Sequence, residues 1–278
     1  MKNITSRLVR VFTLTTTLAA SHRAGAATAY GIDGNGNLRF INNLASMSST
    51  ILGPTPFNYA ATNNGNVGLA ISPTGQLYAG DQMGNVYTVS MTGVSTLIGN
   101  TGVPGPITGL DWDPQTNSLL VVTGSPTFQI YRASPVNGLQ TGPAVSVNVS
   151  GGRTESIAWL NPTSAFLTYK DPGNTISIVQ LVSLATGALV GTPDSTSILN
   201  EWTGVDVDPA SGTNYMIGWL DDSWTVTNSA GTLTASHLAT NTHADWTAFT
   251  MASIPEPASV SLIAGGLAFL TMRRRRCA

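Results

Sequence analysis

The sequence predicts an all-β fold, a five-bladed β-propeller closed by pairing of its two ends, and three observations lead there. A strand-like pattern recurs along the chain, an N-terminal segment matches a later one at a constant offset, and the C-terminal region supplies the strand that the N-terminus lacks.

The recurring pattern reads Val67-Gly68-Leu69-Ala70-Ile71-Ser72-Pro73, Thr108-Gly109-Leu110-Asp111-Trp112-Asp113-Pro114, Glu155-Ser156-Ile157-Ala158-Trp159-Leu160-Asn161-Pro162 and Thr203-Gly204-Val205-Asp206-Val207-Asp208-Pro209. Its small residues Gly68, Gly109, Ser156 and Gly204 are 41, 47 and 48 apart, within the period of about 40 to 50 residues of propeller blades. Turn residues and a second apolar run follow each proline, as in Gln76–Ala79, Ser118–Val122 and Ala165–Tyr169. Alternating apolar residues punctuated by turns are the pattern of hairpins.

Residues Tyr30–Ile41 match Tyr78–Val89 at an offset of 48, with Tyr, Asp, Gly and Asn in register. The chain therefore enters the repeat partway through a unit. The missing first strand stands at the other end, where Asp245–Met251 parallels Glu201–Val207. A ring whose last blade is shared between the termini accounts for both and removes an exposed sheet edge. Four internal units and the shared one make five blades. Six blades, with extra strands in the longer units, and a two-sheet sandwich are the alternative architectures.

Composition agrees with short strands and turns: 29 Gly and 15 Pro in 278 residues disfavour long helices. Only 9% of the residues are charged, so Ser, Thr, Asn and Gly must supply the polar surface. Within residues 27–254 the cations Arg39, Arg132, Arg153 and Lys170 face thirteen acids, and four against thirteen leaves −9. So acidic a body has no basic groove for phosphates, which argues against nucleic acid as a partner. The only cysteine is Cys277. The chain thus has no internal disulfide and no thiol nucleophile in its body.

Both ends read as addresses. Residues 1–26 carry basic Lys2, Arg7 and Arg10, an apolar run from Val11 to Ala20, and Ala24-Gly25-Ala26 as a small-x-small cleavage site. This is the three-part pattern of a secretory signal, with the Sec translocon and signal peptidase as partners. Ala27-Thr28-Ala29 offers a second cleavage site.

At the C-terminus, Pro255 and Pro257 flank Glu256, an uncharged stretch runs from Ala258 to Met272, and Arg273, Arg274, Arg275 and Arg276 follow. The prolines keep Glu256 extended, as a processing enzyme requires of its substrate. Fifteen residues span about 22 Å as a helix, short of a hydrocarbon core of about 30 Å. Such a helix inserts transiently and anchors poorly. The arginines belong on the cytoplasmic side, which leaves the body outside. The expected organisation is a signal peptide at 1–26, a propeller domain at 27–253 and a sorting signal with a membrane helix at 254–278.

This arrangement resembles the PEP-CTERM sorting signal of Gram-negative bacteria that make extracellular polysaccharide. The resemblance covers residues 255–276: Pro255, Glu256 and Pro257 as the recognition triplet, Ala258–Met272 as the membrane segment, Arg273–Arg276 as the basic stop. It implies removal of the tail by an exosortase, a membrane cysteine protease that acts like a sortase. It further implies delivery to the outer surface or the biofilm matrix. It implies an address, and no activity.

Candidate chemistry in the body is sparse. Asp111 and Asp206 occupy equivalent repeat positions and are candidate Ca²⁺ ligands or an acid–base pair at the ring axis. The matching positions elsewhere are Ala70, Ala158 and Thr250. Asp113 and Asp208 precede prolines and read as turn residues that accept backbone N–H groups. His237 and His243, the body's only histidines, have no neighbouring cysteine or carboxylate pair in the sequence to complete a zinc site, and no nucleophile elbow accompanies them.

Trp219 and Trp224 flank Asp221 and Asp222 across a short acidic turn, a candidate platform for stacking a sugar ring, with packing between blades as its alternative. Trp112, Trp159, Trp202 and Trp246 fall in or beside the repeated first strands and are expected in the core. The leading expectation is an exported, non-catalytic binding module for exopolysaccharide or another matrix component. The alternatives are a metal-assisted hydrolase or lactonase on the same scaffold, and a structural matrix protein with no defined ligand.

Overall fold

A computed structural model of the chain describes residues 27–57, 67–124, 128–149, 152–173, 176–194, 202–218, 222–240 and 245–252. The expected signal peptide, with Ala24 and Ala26, and the sorting tail, with Pro255, Glu256, Pro257, Arg273, Arg274, Arg275 and Arg276, lie outside the described residues, as does the expected C-terminal membrane helix. Among the described residues no helix is long and apolar enough to cross a membrane.

The described body is all-β and propeller-like. β1 (Ala29–Asp33), β2 (Asn37–Asn43) and β3 (Ser48–Pro54) form a meander completed by β20 (Trp246–Met251). β4 (Gly68–Ile71), β5 (Leu77–Gly80), β6 (Asn85–Val89) and β7 (Ser95–Asn100) form the next. β8 (Ile107–Asp113), β9 (Ser118–Thr123), β10 (Gln129–Ala133) and the short β11 (Val145–Ser146) follow.

The remaining strands share one eight-stranded sheet. It joins the meander of β12 (Thr154–Asn161), β13 (Ser164–Lys170), β14 (Ser177–Ser183) and β15 (Leu189–Asp194) to that of β16 (Trp202–Val207), β17 (Asn214–Gly218), β18 (Asp222–Ser229) and β19 (Thr232–Thr240). The junction is one parallel pairing, Thr192 with Thr232, reinforced by Asp194, whose carboxylate accepts the Ala235 N–H. Repeat logic did not foresee this join. Each edge strand thereby covers part of the other's free backbone.

The ends meet as the repeat requires. β20 pairs antiparallel with β1, Ile32 opposite Ala248 and Ala29 opposite Met251. Buried Thr247 seals the seam by donating its hydroxyl to the Ile32 carbonyl at 3.0 Å.

The offset of 48 between the first two units is a shared turn. Asp33 accepts the Asn35 and Asn37 N–H groups, and Asp81 accepts those of Met83 and Asn85. Gly36 and Gly84 close these turns at φ of 80° and 76°, a left-handed conformation that glycine adopts without steric cost. Six residues after each aspartate, Arg39 and Tyr87 bind its second oxygen at 2.6 Å and 2.9 Å.

The apolar core lies between successive meanders rather than within them. Leu38, Phe57, Leu69 and Leu77 join the first to the second, and Val86, Ile107, Leu119 and Tyr131 join the second to the third. Val122, Ile157, Leu167 and Val182 continue the series, then Phe166, Trp202, Met216 and Trp224. Ile41, Ile217, Trp246 and Phe249 return it to the first meander. The inner strands thus bury residues on both faces, which explains why β8 and β16 read as almost continuously buried.

Small residues let these innermost strands approach. A Cβ on Gly68 would stand 2.6 Å from the Leu110 Cβ and one on Gly109 would stand 2.6 Å from the Ile157 nitrogen. At the equivalent position of β12, Ser156 fits and accepts the Val205 N–H at 3.2 Å.

Candidate functional site: a cavity where the innermost strands converge

The C-terminal ends of β4, β8, β12, β16 and β20 converge on a cavity of about 230 Å³. The repeat dictates its wall. Three residues beyond Gly68, Gly109, Ser156, Gly204 and Ala248 stand Ile71, Trp112, Trp159, Val207 and Met251, and all five line it. Pro73, Pro114 and Pro209, the prolines of three repeats, line it as well. Into this apolar wall are set Asp111, Asp206 and Thr250, one residue earlier in the repeat.

Both carboxylates are nearly buried, each 7% exposed. Each ties its own strand to the next one around the ring. Asp111 accepts the Trp112 N–H at 2.6 Å with one oxygen and the Trp159 N–H of β12 with the other. Asp206 accepts the Val207 N–H at 2.6 Å, and its second oxygen takes the Met251 N–H at 2.6 Å and the Thr250 hydroxyl at 2.9 Å, both from the closing strand β20.

Burial pushes the Asp111 carboxyl well above the usual carboxylate range, and the Asp206 charge adds to this against the pull of the Trp159 and Trp112 N–H groups. Burial likewise pushes Asp206 up to about 6, although the Met251 and Val207 N–H groups and the Thr250 hydroxyl oppose it. The two acids expected at the axis are therefore brought together, as linked carboxylates that resist ionisation.

As a Ca²⁺ site the donor set falls short. Ca²⁺ takes about six to eight oxygens, whereas every oxygen of this pair already accepts a backbone N–H. No group of three or more His, Cys, Asp or Glu side chains that could hold a metal occurs among the described residues. The aspartates before the prolines are turn residues. Asp113 accepts the Gln115 and Thr116 N–H groups and pairs with Arg132 at 2.7 Å, and Asp208 accepts the Ala210 N–H and the Ser211 hydroxyl.

The tryptophans divide by their place in the repeat. Trp202 and Trp246, two residues before the small position, are fully buried. Trp112 and Trp159, three residues after it, are partly buried: they pack against the core clusters and also border the cavity, so the expected full core burial holds for Trp202 and Trp246 alone of the four. Trp112 stacks on Tyr78 with ring centroids 5.9 Å apart, and the indole nitrogens of Trp112 and Trp159 have no hydrogen-bond partner. The repeat carries the signal for this division, because Ile71, Val207 and Met251 mark the same register.

The expected sugar platform is not open at its described half. Trp224 is 7% exposed, packed edge-on against Trp202 at 6.3 Å and His237 at 4.6 Å. Asp222 is buried beneath it, with His237 Nε2 at 3.6 Å. Strand β18 alternates its faces, and Trp224 falls on the one turned toward the fourth meander. Trp219 and Asp221 lie outside the described residues.

Comparison with known proteins places these features in context. No curated protein matches the chain. Among solved structures, the WD40 β-propeller domain of Doa1 is similar at 10% identity and a TM-score of 0.44, over 80% of this chain and 82% of that one. The PEP-CTERM protein-sorting motif matches residues 253–276. The chain thus carries a PEP-CTERM sorting motif, which implies export and processing by an exosortase, behind a propeller-like body.

Proposed function

We propose that the mature protein is a non-catalytic binding module of the cell surface or extracellular matrix, a five-bladed propeller whose axial cavity engages exopolysaccharide or another matrix component. The cavity carries this reading, because five equivalent strand positions present two indoles, apolar side chains and two carboxylates to one volume. A concave, largely apolar site with a few convergent polar groups is what ligand recognition requires. The blade count rests on the cyclic adjacency of β4, β8, β12, β16 and β20 and on the core that follows it around.

Residues 1–26 direct the chain through the Sec translocon to signal peptidase, and Ala258–Met272 crosses the inner membrane transiently until the exosortase removes it. The sorting motif begins two residues beyond Met251, which lines the cavity, so trimming frees the chain that departs from the cavity rim. The test is retention of the processed protein on exopolysaccharide from the producing cell. Parent protein is expected to be retained and the Trp112→Ala, Trp159→Ala double variant to elute early. Equal elution of the two removes the cavity from the function.

A further inference from the structure

We propose that the axial cavity is a site for a small organic ammonium, and that the matrix group it takes is the free amine of a hexosamine unit. The inference rests on the binding reading above and names its ligand class. Among the described residues, no Lys, Arg or His lines the cavity. The charged groups facing the pair are acids: Asp113 and Asp206 act on Asp111, and Asp208 acts on Asp206. Of these only Asp113 has an arginine partner, Arg132, which occupies its Oδ2. Two carboxylates that repel each other in an apolar wall are relieved by one positive charge.

The remaining lining selects which cation. A bare divalent ion lacks the oxygens it needs here, whereas an ammonium offers only three donors and can rest its carbon frame and charge against an indole face, as Trp112 and Trp159 allow. At about 230 Å³ the cavity is smaller than the ~300–1,000 Å³ of drug-sized sites, so it takes one ring or one chain end rather than a run of polymer.

The test uses the processed protein recovered from the producing cell, titrated calorimetrically at pH 7 with glucosamine, N-acetylglucosamine and glucose. Glucosamine is expected to bind at least about tenfold more tightly than the other two, a difference of about 1.4 kcal/mol. Its affinity is expected to fall as the pH drops through about 6 and Asp206 takes up a proton. Ethanolamine, which carries the ammonium without the ring, separates a free-amine site from a hexosamine site by binding as well as glucosamine.

Trp159→Leu is the decisive variant, because it keeps the backbone N–H that Asp111 accepts and removes only the indole. About tenfold weaker glucosamine binding is expected from a variant that keeps its β-sheet circular dichroism, with a modestly lower melting temperature because the indole also packs against the core between the third and fourth meanders. Equal binding of the three sugars, absence of glucosamine binding, or an unaffected Trp159→Leu variant each overturns the proposal, and ethanolamine binding equal to glucosamine overturns the hexosamine assignment while supporting the ammonium site. Retention on exopolysaccharide without glucosamine binding would leave the binding module standing and remove only the ammonium site. Glucosamine binding without retention would do the reverse.

Discussion

Replacing Gly109 with alanine should loosen the ring where β8 meets β12. The added methyl would lie 2.6 Å from the Ile157 nitrogen, 2.7 Å from the Ser156 Cα and 2.8 Å from the Ser156 carbonyl carbon. Ordinary contact is about 3.5–4.0 Å, so the shortfall is about 1 Å. Every obstructing atom is backbone of β12, which is laced to β13 along its length and cannot rotate aside as a side chain would. Relief therefore requires β8 and β12 to part, and that strains the Asp111 link to Trp159 and the Thr108–Thr154 hydroxyl contact at 3.0 Å.

Overpacking costs about 1–3 kcal/mol, and the upper end applies where backbone must move. For a domain of this size each kcal/mol shifts the melting temperature by about 2–4 °C, so Gly109→Ala should melt about 6–12 °C below the parent. Circular dichroism at the β-sheet minimum measures this. Gly142→Ala is the control, since its Cβ would meet nothing within 4 Å. A Gly109→Ala variant that melts with the control would refute the account of why small residues recur at this position.

Three further outcomes follow from the same geometry. Asp206 has its carboxyl raised to about 6 in the fold, so between the ordinary carboxylate value near 4 and pH 6 the native state holds a proton that the unfolded chain has lost. Its contribution to stability declines as the pH rises through that window and is flat above it; urea unfolding of parent and Asp206→Asn at pH 4.5 and pH 7 should show a difference between the two proteins that shrinks or reverses at the higher pH, and a pH-independent difference would count against it. For Asp113 the sign is opposite: burial raises its carboxyl, but the Arg132 hydrogen bond, the Thr116 hydroxyl and the Gln115 N–H outweigh it and hold the group below the usual range. Its stabilisation is present above pH 4 and is lost as the pH falls through the folded value, so Arg132→Met should lower stability at pH 7 by about 1.5–3 kcal/mol and narrow the gap to parent in acid, which denaturant titration at pH 3 and pH 7 checks. Finally, Glu256→Ala is expected to leave the sorting tail on the protein, and mass spectrometry of the surface-exposed product should then find Arg273–Arg276; finding those arginines on the parent product as well would contradict trimming.

Much of the architecture was legible because propeller repeats write their geometry into the chain. Close approach of the innermost strands admits only small side chains, so Gly68, Gly109, Ser156 and Gly204 mark the period. The turn that Asp33 and Asp81 close needs an acceptor, a positive-φ glycine and an asparagine at fixed spacing, which is why two units align at 48 residues. The absence of a first strand before Tyr30 and its presence at Trp246 foretold the seam. The sorting signal was equally plain, since its triplet, apolar stretch and arginines are contiguous and act by local chemistry.

What the site is made of depended on tertiary structure. Position in the repeat separates Trp112 and Trp159 from Trp202 and Trp246, but only the convergence of five strands turns that register into a cavity wall. The burial of Trp224 depends on the fourth meander lying across its strand, a contact between residues far apart in sequence. Asp111 and Asp206 are 95 residues apart, and their mutual repulsion exists only because β8 and β16 both pack against β12 and face one cavity. Local patterns encode local geometry, whereas the field at the axis sums over strands that the sequence keeps separate until folding brings them together.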